Sequence, residues 1–128
     1  MTQKDKELLL KDLCARLPYG VKVKLGDNPN IFDLEYRIKF AAMYGDSDKL
    51  EDILDITNIK PYLFPMSSMT EEKMEELLDI VIPINNGSGI IEESNIGKYV
   101  DWCCKNHIDY RGLIEKGLAI NATGLNIY

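Results

Sequence analysis

The sequence predicts an α+β domain: a small antiparallel sheet, two to three strands or more, packed with three to four helices on one side. Three observations predict it. Apolar residues recur every three and four positions near the N-terminus, and a period-two run follows them. The stretch from Ile59 to Ile82 then joins a proline-framed extended segment to a capped amphipathic helix. A length of 128 residues fits one domain spanning the whole chain. A chain of this size buries roughly two-thirds of its unfolded surface, enough for a core without staples.

The first helix runs from Asp5 to Leu17, where Leu9, Leu10, Leu13, Cys14 and Leu17 share a face and Leu8 widens it. Cys14 reads there as a small buried hydrophobe. Pro18, Tyr19 and Gly20 end the helix. Val21, Val23 and Leu25 alternate with Lys22 and Lys24, the pattern of a half-buried strand. The turn Gly26–Asn30 follows. Leu34, Tyr36, Ile38 and Phe40 alternate with Glu35, Arg37 and Lys39, which predicts a second strand over at least Leu34 to Ala42, paired to the first. Leu50 to Ile59 fits either helical turns or an irregular strand. A third strand is the reading adopted, because two strands alone are marginally stable.

Pro61 and Pro65 hold Lys60 and Phe64 extended. Met66, Ser67 and Ser68 turn the chain, and Thr70 caps a helix whose first turn carries Glu71 and Glu72. Met69 and Met74 are spaced as a hydrophobic staple. Met74, Leu77, Leu78, Val81 and Ile82 mark the buried face, and Pro83 stops the helix. Asn85 to Gly89 reads as a linker within the domain. Ser94 or Asn95 caps the next helix, which reaches about Asn106 with Ile96, Val100, Cys103 and His107 on one face. Asp109 caps a last short helix through Lys116, closed by Gly117. Leu118 to Tyr128 is a tail docking by Leu118, Ile120 and Ile127.

Composition narrows function by exclusion. With 15 Lys+Arg against 21 Asp+Glu, the net charge of −6 repels a phosphate backbone on average. No apolar run approaches the roughly 20 residues that span a bilayer, and the charged start is unlike a signal peptide. Three cysteines, two of them adjacent, do not make a disulfide framework, so a reducing cytoplasm is expected.

The candidate chemistry is sparse. Cys103 and His107 lie one helical turn apart, but a structural zinc site needs four ligands, and only Cys104, Cys14 and Asp109 remain to complete one. A Cys–His nucleophile needs oxyanion donors that a helix interior does not offer. His107 is more simply a favourable charge on the helix dipole. His107, Asp109, Tyr110 and Arg111 form a polar cluster at a joint between helices, read first as structural and second as a recognition surface. Gly87-Ser-Gly lacks the lysine of a phosphate loop, and the acidic residues after Thr70 are a solvated helix face. No cofactor or metal is expected.

Three stretches, KDLCARLPYGV from Lys11, IKPYLFPMSSMT from Ile59 and DYRGLIEKGLA from Asp109, resemble a group of short uncharacterised proteins of phages and integrated mobile elements of gut bacteria. They make up about a quarter of the chain. In that group the segment corresponding to Asp101–Asn106 does not need adjacent cysteines. The resemblance implies a small accessory protein inside a bacterial cell and brings no catalytic residue.

The leading expectation is a non-enzymatic cytoplasmic module that binds a protein partner or itself. Tyr19, Tyr62, Phe64, His107, Asp109, Tyr110 and Arg111 are the candidate contacts, since aromatic residues and arginine dominate interface hot spots. The alternative is a nucleic-acid-binding regulator, which requires Arg16, Lys22, Lys24, Arg37 and Lys39 to converge on one sheet face. A metal- or thiol-dependent enzyme built on Cys103, Cys104 and His107 is the third reading.

Overall fold

The computed structural model describes residues 1–44, 54, 56–84 and 93–128. Thr2 and Asp5 form a reciprocal capping box, each accepting the other's backbone N–H, and so start α1 at Gln3–Arg16. Strand β1, Lys22–Leu25, pairs antiparallel with β2, Phe32–Asp33, and with β3, Ile59–Pro65. Helices α2 (Leu34–Tyr44), α3 (Glu71–Ile84) and α4 (Glu93–Lys105) follow in the chain around β3. Two short strands, β4 at Ile108–Asp109 and β5 at Ile120–Asn121, both run parallel to β3. The class is α+β as expected, but the sheet is mixed and centred on β3. Among the described residues no helix is long and apolar enough to cross a membrane.

The central strand accommodates its prolines through register. Gly26 donates its N–H to the Asn58 carbonyl, so the hydrogen-bonded rungs with β1 fall at even positions of β3. Pro61, opposite Val23, sits on a rung that asks for no N–H towards β1. Val21 and Val23 therefore face the core with Ile59 and Leu63, against Leu9 and Leu13 of α1, Leu34, Leu54, Leu113 and Leu118. Lys22, Lys24, Lys60 and Tyr62 alternate onto the other face.

The largest correction is α2. The run expected as a strand from Leu34 to Ala42 is helical, and only Phe32 and Asp33 before it pair with β1. Leu34 and Ala41, seven apart, are buried and Ile38 packs against the core, which is a helical stripe. Glu35 and Lys39 form an i,i+4 ion pair at 2.9 Å in the favourable order. Ala41, Ala42 and Met43 add helix propensity. A period of two and a period of 3.6 both fit Leu34–Phe40, and the following residues decide between them.

Smaller differences have local causes. Thr70 caps α3 as expected, its hydroxyl accepting from Lys73 N at 3.2 Å, but Met74 and Leu78 are exposed and only Leu77 of that turn is buried. The staple with Met69 is therefore not supported. Helix α3 runs through Pro83 to Ile84, because a proline in the last turn forfeits only one terminal hydrogen bond. Helix α4 begins at Glu93, ahead of the expected Ser94 or Asn95 cap. Cys14 is exposed; the buried face of α1 is rotated to Leu9, Asp12, Leu13 and Arg16. The expected helix after Asp109 is a turn over residues 113–117. In the segment read as a third strand, Leu54 is helical and residues 56–58 form a turn; the rest of it, and the Asn85–Gly89 linker, lie outside the described residues.

Candidate functional site

Four of the seven candidate contacts meet at the joint after α4, and the chemistry there is structural. Asp109 accepts the N–H groups of Leu113 and Ile114, both at 2.9 Å, one on each carboxylate oxygen. It thus caps the turn that Gly117 closes with φ +73. Tyr110 packs against two guanidinium groups, with Arg111 4.8 Å and Arg16 5.4 Å from its ring centroid, and meets Tyr99 edge-on. Arg16 is fully buried: its Nε donates to Asp12 at 2.8 Å, and its Nη2 donates to the Ile108 carbonyl at 2.7 Å. Arg111 Nε stands 3.2 Å from the other Asp12 oxygen, an ion pair outside hydrogen-bond geometry. Burial pushes the Asp12 carboxyl above its ordinary range despite the two cations beside it. The pair is therefore a device that fixes how α1 seats on β4 more than a net source of stability.

A second aromatic group stands at the sheet. Tyr128 stacks on His107 with ring centroids 3.6 Å apart and packs against Phe64 at 5.8 Å. Its hydroxyl accepts the Lys22 N–H at 2.8 Å and donates to the Tyr62 carbonyl at 2.8 Å. The register Val23↔Pro61 sets Lys22 opposite Tyr62, so the tyrosine hydroxyl replaces one rung of the β1–β3 ladder. Burial pushes this phenol up to about 12, keeping the proton that the rung requires. Tyr62 joins the group through its backbone carbonyl, and its side chain is buried. Tyr19, in the turn after α1, is exposed and has no described side-chain contact with these groups.

His107 is not a charged helix cap. Burial, with Arg16 and Lys22 nearby, lowers it to about 4, so it is neutral at pH 7. Its backbone takes φ +58, a left-handed conformation unusual outside glycine, which turns the chain from α4 into β4. Among the described residues no hydrogen bond joins it to a cysteine, and no three His, Cys, Asp or Glu side chains are grouped as metal ligands. Cys103 is fully buried and its thiol is pushed up to about 11, unsuited to nucleophilic attack.

The five cations that a nucleic-acid face requires do not converge as expected. Arg16 is internal, Lys22 pairs with Asp33 at 3.0 Å, and Arg37 and Lys39 ride on α2 instead of a strand.

What the sequence reading missed is the outer face of α2. Tyr36, Phe40 and Met43, at i, i+4 and i+7, are 58%, 45% and 73% exposed, an unusual outlay of large apolar surface. Tyr36 and Phe40 have ring centroids 6.3 Å apart and, with Leu25, Phe32 and Arg37, line a hollow of about 180 Å³. The Nε of Arg37 is buried there without a hydrogen-bond partner. A helical reading of Leu34–Tyr44 places these three side chains together; the strand reading puts Met43 on the opposite face from Tyr36 and Phe40. In comparison with known proteins, no family model matches this chain, and no curated protein or solved structure matches it.

Proposed function

We propose that this chain is a non-enzymatic interaction module that receives a segment of a partner protein on the outer face of α2. The observation that carries this reading is the exposed row Tyr36, Phe40 and Met43 beside an apolar hollow. Aromatic anchors beside an arginine are the composition of interface hot spots. The chemistry describes the partner: an apolar anchor for the hollow, and a carboxylate for the Arg37 guanidinium, which joins no ion pair among the described residues. The resemblance in the three sequence stretches supports a cytoplasmic accessory role for a phage or mobile element.

The test compares wild type with Phe40→Glu in capture from bacterial lysate, with circular dichroism confirming the fold and sedimentation reporting the oligomeric state. Loss of one stoichiometric partner from the folded variant supports the reading. Identical capture by both chains contradicts it. A wild-type dimer that Phe40→Glu dissociates assigns the face to a second copy instead.

A further inference from the structure

A second concave feature lies on the polar side of the sheet and shares no lining residue with the α2 hollow. Lys24 of β1 and Lys60 of β3 are direct cross-strand partners, on a rung that sets their Cα atoms about 5.5 Å apart. Like charges placed directly opposite destabilise a sheet. Lys22, the third lysine on this face, is neutralised by Asp33. Among the described residues no ion pair joins Lys24 or Lys60 to a carboxylate. In a chain of net charge −6, this leaves two cations side by side with no ion-pair partner among the described residues.

They open on a cleft of about 460 Å³ lined also by Gly26, Asp27, Thr57, Asn58 and Ile120. That volume is in the range of small-molecule sites. Two ammonium groups match a phosphate dianion in charge and serve it as point charges. Asp27 is the one carboxylate in the lining and, with the Thr57 hydroxyl, suits the hydroxyl groups of a polyol or sugar. Ile120 supplies an apolar wall.

We propose that this cleft binds a small phosphomonoester, its phosphate between Lys24 and Lys60 and its hydroxylated remainder towards Thr57 and Asp27. The proposal goes beyond the protein-docking reading and does not depend on it. A bound dianion turns the cross-strand repulsion into attraction, so the cost carried by the empty sheet is recovered on binding.

The experiment titrates the full ¹⁵N-labelled chain with inorganic phosphate and with glycerol 3-phosphate at low salt, following backbone amide shifts. The expected result is saturable movement of Lys24, Gly26, Thr57 and Lys60, tighter for glycerol 3-phosphate and weakened by added salt. Lys60→Gln should weaken binding about tenfold, roughly the loss of one charge-assisted contact. Lys60→Glu should abolish binding yet raise the Tm of the ligand-free chain by about 2 °C, because it replaces repulsion with an opposite-charge pair. No saturation, or equal binding by Lys60→Gln, overturns the site. Glycerol 3-phosphate binding no tighter than inorganic phosphate overturns the monoester assignment. A lower Tm for Lys60→Glu overturns the argument from repulsion.

Discussion

At the joint after α4, Tyr110 packs against the guanidinium groups of Arg16 and Arg111, and Tyr128 is stacked on His107 with its hydroxyl in the β1–β3 ladder. On the outer face of α2, Tyr36 and Phe40 lie beside Arg37 and are 58% and 45% exposed. The residue types are the same in both places, and their use differs. At the joint each aromatic ring or cation completes a contact within the chain, so changing one should disturb folding. On α2 the apolar surface makes little demand on the core, so changing it should leave the fold and alter what the chain meets.

The largest effect expected is at the joint. Asp12→Ala leaves Arg16 buried without its counter-charge and should cost about 3–5 kcal/mol, read by urea denaturation. A loss under 1 kcal/mol would show that the buried pair does not fix the seat of α1. Tyr128→Phe removes the hydroxyl that bridges Lys22 N and Tyr62 O, and should cost about 1 kcal/mol as a lower midpoint at unchanged m-value.

His107 gives the joint a pH signature. Its folded pKa, about 4, lies below the ordinary histidine value of 6.5, so the unfolded chain binds the extra proton more readily in between. The stability that depends on neutral His107 is complete above pH 6.5 and is lost as pH falls towards 4. His107→Asn, which tolerates the positive φ, should flatten that part of the stability profile in urea titrations at pH 7, 5.5 and 4.5. An unchanged profile would assign the dependence to other groups. The smallest stability effect is expected on α2, where Tyr36→Ser with Met43→Ser should stay within about 0.5 kcal/mol of wild type while partner capture is lost. A large loss of stability would make that face part of the core.

The difference between the two regions also explains what could be read from the chain. Thr70, Asp109 and Gly117 act through hydrogen bonds or backbone angles set by near neighbours; Thr70 caps its helix as expected, while Asp109 and Gly117 cap and close a turn where a short helix was expected. The α2 face was hidden by a period shared between strand and helix over seven residues, a tie that Glu35–Lys39 and the alanines break. Asp12 and Arg16 carried a legible signal, an i,i+4 pair of opposite charge on the same stripe as Leu9 and Leu13. The Tyr128 rung carried none, because it depends on a hydroxyl reaching a strand 106 residues earlier in the chain.

The most direct test of the α2 assignment is photocrosslinking in cells from a reactive residue placed at Met43, with Lys116 as the exposed control position. The account predicts one discrete adduct from position 43, none from 116, and loss of the adduct when Phe40→Glu is added. Equal crosslinking from both positions, or an adduct that survives Phe40→Glu, would contradict it.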